Sequence, residues 1–110
     1  MVKPDKALQM LGMAMRAGKV KSGEFMTGNS VKDGSAQLVV VAMDASDNTK
    51  KQFNNMCDFY NVPIVFYETK EALGHCIGKE FRASLAVTDE GLATKILEII
   101  DKSSKPTEVF

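Results

Sequence analysis

Leu38-Val39-Val40-Val41-Ala42-Met43 is an unbroken apolar run between Gln37 and Asp44. Three consecutive valines are stiff at χ1 and prefer extended backbone. A strand with no polar position has no face to give to water, so it must be covered on both sides. Such a strand belongs at the centre of a sheet between two layers of helices, and the rest of the chain has to supply them.

The flanking pattern does so. Ala7, Leu8, Leu11, Ala14 and Met15 recur at spacings of three and four, with Pro4 suited to a first helical turn and Gly18 to a stop. Lys19-Val20-Lys21-Ser22 alternates as a short strand. Gly23 to Lys32 predicts a second short helix carrying Phe25, Met26 and Val31, closed by Asp33-Gly34. Beyond the central strand, Asp44 to Thr49 is rich in N-cap residues and opens a helix with Phe53, Met56, Cys57 and Tyr60 inward. Pro63 to Tyr67 predicts a strand, Thr69 to Ile77 a helix ended by Gly78, and Ala83 to Val87 a strand. Glu90 to Ile100 predicts the last helix, with Leu92, Ile96, Leu97 and Ile100 on one side. The expected fold is α/β: a three-layer α/β/α sandwich around a small, mostly parallel, mixed four-stranded sheet. One domain over residues 4–100 is expected, followed by a polar C-terminal tail over 101–110.

A chain of 110 residues buries about two-thirds of its unfolded surface, so it needs neither a disulfide nor a structural metal. With 45% hydrophobic and 25% charged residues, disorder over most of the length and a coiled coil are excluded. No apolar stretch approaches the roughly 20 residues that span a bilayer, and the N-terminus lacks the order of a signal peptide. Cys57 and Cys76 fit free thiols in a reducing cytoplasm. The formal net charge is zero, yet residues 1–23 hold Lys3, Lys6, Arg16, Lys19 and Lys21 against Asp5 alone. A segregated basic end can hold a phosphate backbone while the whole molecule stays neutral.

Sheets of this kind place ligands beyond strand carboxyl ends and at helix N-termini. Asp44 and Thr88-Asp89 stand at strand ends, as in a phospho-accepting receiver domain. A receiver also needs paired acids after its first strand to bind magnesium, and Ser22-Gly23-Glu24 offers one. A helix-capping or loop carboxylate fits Asp44 better. His75 and Cys76 are helix neighbours that point apart, so they neither chelate a metal nor form a nucleophile–base couple. Gly74 to Gly78 lacks the Gly-Lys-Ser/Thr of a phosphate loop and suits close helix packing and a helix stop. Met10, Met13 and Met15 suit core filling. No catalytic residue, metal site or cofactor is expected. What remains is Lys19, Lys21 and Gly23 ahead of a helix N-terminus that favours phosphate, with Phe25 in its first turn as a ring to stack on a base.

Read in order, Arg16-Ala17-Gly18-Lys19, Ser22-Gly23-Glu24, Ala36 to Ser46, Asn48-Thr49-Lys50-Lys51, Cys57 to Pro63 and Leu73 to Lys79 form a specific set. That set resembles the L-seven-Ae/L-thirty-e family of ribosomal proteins, and within it the short bacterial, YlxQ-type branch. The resemblance runs from residue 6 to about 100. It implies an α/β/α sandwich that binds kink-turn RNA, a sharply bent internal loop with sheared G·A pairs. In the family, RNA is held by the start of the second helix and by the loop before the last strand. Gly23 matches the helix motif, with Glu24 beside it. Phe25 stands at the position of the family's Asn, Met26 at that of its Glu, and Asn29 at that of its Lys. Phe and Met bring no donor or acceptor to a base edge, so the base-reading helix is degenerate. Asp44 matches an acidic position after the central strand. Lys79-Glu80-Phe81-Arg82 falls on the RNA-facing loop, where the resemblance implies Phe81 on an extruded base and Arg82 on a phosphate.

The function expected from these residues is that of a small, non-catalytic, monomeric RNA-binding protein of the cytoplasm, with the ribosome or another structured RNA as partner. Two other readings compete: a ribosome-associated protein-interaction scaffold without direct RNA readout, and a receiver-like switch at Asp44.

Overall fold

In the computed structural model, residues 5–104 are described; Pro4 and residues 105–110 of the expected tail lie outside the described residues. The chain runs through α1 (Lys6–Arg16), β1 (Val20–Ser22), α2 (Glu24–Lys32), β2 (Leu38–Val41) and α3 (Asp47–Tyr60). It continues through β3 (Ile64–Phe66), α4 (Lys70–Cys76), β4 (Ser84–Val87) and α5 (Glu90–Ser104). The helix starts are set by short side chains that accept an amide from the first turn. Asp5 accepts from Leu8 at 2.8 Å, Ser46 from Thr49 at 3.1 Å and Thr69 from Ala72 at 3.1 Å. Asp5 also accepts from the Tyr67 hydroxyl, which ties the start of α1 to the end of β3.

The four strands lie in the order β1-β4-β2-β3. Leu38, Val39, Val40 and Val41 are all fully buried, as a strand covered on both faces requires. α2 and α3 pack together as one layer; α1 packs with α4 and α5 as the other. Phe53, Leu8, Leu11, Leu73, Leu85 and Ile96 fill the two interlayer spaces.

The sheet is mixed but not mostly parallel. β4 runs antiparallel to both β1 and β2, and the parallel pairing is that of β2 with β3. The reason lies in the stretch around α4. The helix is only seven residues long, and Gly78 turns the chain at φ +78° so that the Lys79 amide bonds back to Gly74 O at 2.8 Å. The Arg82 amide then reaches Lys70 O at 3.0 Å. The excursion starts and finishes at one end of the sheet, so β4 must run opposite to β3. Strand–helix alternation alone reads as a crossover and a parallel strand.

Three smaller differences have local causes. α5 continues to Ser104 rather than ending at Ile100, so the first part of the expected tail is helical; the next helix-breaking residue is Pro106. β2 ends at Val41, and Met43 is exposed at the strand's carboxyl end. In α3, Phe53 and Cys57 face inward and Met56 packs against the core, but Tyr60 is exposed and meets Phe59 edge to face at 4.9 Å.

α1 and α4 touch backbone to backbone. A Cβ at Gly12 would stand 2.8 Å from Cys76 O, closer than real Cβ atoms come. Gly12→Ala gains about 1 kcal/mol of helix propensity but forces the two helices apart, an overpacking cost of about 1–3 kcal/mol. The expected outcome in urea unfolding is a lower midpoint with an unchanged m-value.

Candidate nucleic-acid interface

The carboxyl ends of β1, β2 and β3 and the start of β4 meet at one end of the sheet, and hydrogen bonds tie them together. Asp44 Oδ1 accepts the Lys70 amide at 2.8 Å. Lys70 O accepts the Arg82 amide at 3.0 Å. Arg82 donates from Nε to Ser22 Oγ at 3.2 Å and from Nη1 to Phe81 O at 2.8 Å. The Gly23 amide donates to Ser84 O at 3.0 Å. The guanidinium is therefore held against the last residue of β1, next to the first turn of α2.

α2 begins without a side-chain cap, because its N-cap is Gly23. Gly23 sits at φ +92°, a conformation L side chains rarely adopt, which explains the glycine. An uncapped helix N-terminus presents amide donors and the positive end of the helix dipole to an anion.

α2 is inverted in its use of apolar side chains. Its buried face is Thr27, Gly28, Ser30 and Val31. Phe25 and Met26, which a simple amphipathic reading would bury, are 75% and 44% exposed. Asn29 shares the outer side one turn after Phe25. Phe25 and Met26 therefore add apolar area to the surface of α2 rather than to the core.

The loop between α4 and β4 rests directly on α4. A Cβ at Gly74 would collide with the Glu80 carbonyl and come within 2.9 Å of the Phe81 nitrogen. Phe81 is 61% exposed on this loop, and Lys79 and Glu80 are exposed beside it.

The structure thus brings Gly23, Glu24, Phe25, Met26, Asp44, Phe81 and Arg82 to one end of the sheet. Lys79 lies on the same loop, and Asn29 lies along the outer side of α2. Lys19 is not part of the group. Its carbonyl accepts the Thr88 amide at 2.8 Å, beside the first pair of the β1–β4 ladder, so it stands at the opposite end of β1. Lys21 is exposed at mid-strand and pairs with Ala86. The Ser35 hydroxyl and amide hold the Asp33 carboxyl below its usual range, with a smaller contribution from Lys21. Sequence reading missed Ser22 and Lys70, whose roles are to fix Arg82. Lys70 follows the N-cap Thr69, and that helix start was the available signal.

Asp44 spends one carboxylate oxygen on the start of α4, the loop-holding role weighed for it above. Neither thiol is an activated nucleophile. Burial pushes Cys57 up to about 11; burial, then the charge of Asp5, push Cys76 up to about 11. Among the described residues, no group of three or more His, Cys, Asp and Glu could hold a metal ion, and no helix is long and apolar enough to cross a membrane.

The chain belongs to the ribosomal protein L7Ae/L30e/S12e/Gadd45 family, whose model matches residues 5–97. A relative from Bacillus subtilis strain 168, RNA-binding protein YlxQ, is 42% identical over 92 residues, covering 84% of this chain and 92% of that protein. A protein of the same name from Enterococcus faecium is 38% identical over 97 residues, covering 88% and 93%. A solved structure from Bacillus halodurans, of a protein described as having unknown function, matches with a TM-score of 0.86 at 34% identity, covering 89% of this chain and 99% of that one. The Giardia lamblia 15.5kD RNA binding protein matches with a TM-score of 0.74 at 23% identity, covering 91% and 89%, and shares the fold.

Gly74→Ala tests how the loop is held. Displacing Glu80 and Phe81 should break the Lys79–Gly74 and Arg82–Lys70 bonds. The expected outcome is faster amide exchange at Lys79 and Arg82, while Val40 and Ala86 in the sheet centre keep their protection.

Proposed function

We propose that this chain is a non-catalytic binder of structured RNA, holding the phosphate backbone at the sheet end where Arg82 meets the first turn of α2. The observation that carries the reading is the fixed guanidinium: Arg82 is tied through its own amide to Lys70 and through Nε to Ser22, beside an uncapped helix N-terminus. A pre-positioned cation next to free amide donors suits a phosphate, and Lys79 adds charge on the same loop. Membership of a ribosomal-protein family and relatives named as RNA-binding proteins support it. Phe25, Met26 and Phe81 supply apolar and stacking surface around the charges. Lys19 and Lys21 extend the basic surface along β1, where a longer RNA would run. Free cysteines fit a cytoplasmic setting, and a structured RNA such as that of the ribosome is the natural partner.

Kink-turn preference is weakened in this reading. Phe25 and Met26 offer base edges no hydrogen bond, so phosphate contacts and stacking set the affinity. The protein-scaffold alternative rests on the same exposed apolar groups, and salt dependence separates the two. A gel-shift panel of a kink-turn, a plain duplex and an unrelated hairpin at two salt concentrations is the test; salt-independent binding, or none, overturns the reading.

Two variants sharpen it. Arg82→Ala should weaken all three RNAs about equally and flatten the salt slope by about one unit. Asn29→Lys should raise kink-turn affinity more than duplex affinity, by something on the order of 1–3 kcal/mol, if it restores a base contact. Equal gains for both would mean that only non-specific charge was added.

A further inference from the structure

The sheet ends in two edge strands, β1 and β3, and their chemistry differs. β1 carries the exposed Lys21 at its centre, and a charge on an edge discourages a further strand from pairing there. β3 carries no charge. It consists of Ile64, Val65 and Phe66, none of them fully buried. Its bonds to β2 are spaced two residues apart: the Pro63 carbonyl accepts from Val39, and the Tyr67 amide donates to Val41 O, each at 2.9 Å. Bonding direction alternates along a strand, so the amides and carbonyls of Ile64 and Phe66 point away from β2. None of these four groups has a backbone partner among the described residues.

α3 lies above this edge. It packs on both β2 and β3 and runs against them. Phe53 and Cys57 point into the core, and Gln52 and Met56 turn toward α2. The opposite side of the helix carries Asp47, Lys50, Asn54, Asp58 and Asn61 at spacings of three and four. Asn54, Asp58 and Asn61 flank Pro63 and Ile64 at the start of β3. A helix rises about 1.5 Å per residue and a strand about 3.3 Å, which places Val65 level with Asn54. The row is symmetric about Asn54 in position and complementary in charge. Lys50 stands four residues before it and Asp58 four after; Asp47 stands seven before and Asn61 seven after.

We infer that the β3 edge is an interface for a second copy of this chain, paired antiparallel about a two-fold axis through Val65. Ile64 of one copy then faces Phe66 of the other, and each pair exchanges two amide–carbonyl bonds, four in all across the axis. The two sheets become one of eight strands, four from each copy. Both α3 helices lie on the same face. Each stands over the boundary of β2 and β3, so their axes come about 10 Å apart, the packing distance of helices. Across the axis Asn54 meets its own copy, Lys50 meets the partner's Asp58, and Asp47 meets the partner's Asn61. A foreign strand could use the four backbone bonds, but the charge row fits itself. The dimer replaces the single chain expected from the sequence. Its two sheet-end sites point in opposite directions, so the inference does not depend on the RNA reading.

The test is sedimentation equilibrium of the full chain at concentrations up to about 1 mM, with amide exchange measured on the same samples. The wild-type chain should form dimers, and exchange at Ile64 and Phe66 should slow as the concentration rises. Asp58→Lys sets two ammonium groups against each other at both ends of the row and should raise the dimer dissociation constant about 10-fold or more. Adding Lys50→Asp to it reverses the pair and should return the constant to within about 3-fold of wild type. Lys50 lies in the first turn of α3 and Asp58 in the last, so both changes suit the helix dipole and leave the fold intact. A wild-type chain that stays single throughout the range would overturn the inference. So would a dimer that Asp58→Lys leaves unchanged, or one that the double variant fails to restore. Protection of Ile64 and Phe66 in a chain that stays single would give the edge to a segment of the same chain, which also defeats it.

Discussion

The bond from the Arg82 amide to Lys70 O is one backbone hydrogen bond, worth about 1 kcal/mol by itself, yet the arrangement of the molecule follows from it. It closes the α4 excursion at the sheet end where it began. β4 must then enter between β1 and β2 and run against both, which gives each of its edges a partner. The same closure sets Arg82 beside Ser22 and the first turn of α2. Its surroundings allow no slack. Asp44 fixes the Lys70 amide from below the loop, and Gly74 lets the Glu80–Phe81 backbone lie directly on α4. The direction of β4 and the position of Arg82 are therefore both tied to the stretch from Lys70 to Arg82, with Asp44 and Ser22 holding it from outside.

Local features were legible wherever they depend on near neighbours. The valine run of β2 implied burial on both faces, and Ser46 and Thr69 announced the starts of α3 and α4. Gly18 and Gly78 marked turns that do need positive φ. The orientation of β4 was not legible, because it is set by a contact between residues twelve apart that no periodicity encodes. Lys19 is close to α2 in sequence, but a three-residue strand separates its two ends by about 10 Å, and Lys19 stands at the end away from Arg82. Helical spacing points Tyr60 inward, but it is the last residue of α3 and stands exposed beyond the buried Phe53 and Cys57.

The family assignment was legible for a different reason: it rested on the order of many weak motifs, each tied to a turn, a cap or a strand of the fold. The outward positions Phe25, Met26 and Asn29 carry no such structural duty, so the fold does not dictate which side chains stand there.

α2 shows what this separation allows. Its packing is carried by Thr27, Gly28, Ser30 and Val31, while Phe25, Met26 and Asn29 face away from the core. Exposed changes away from packing contacts usually move stability by less than about 0.5 kcal/mol, and effects at independent sites add. The outer row can accordingly drift through many side chains without the fold registering the change. A lineage carrying this helix is free to exchange one set of outward side chains for another, with the unfolding free energy acting as a bystander rather than a filter.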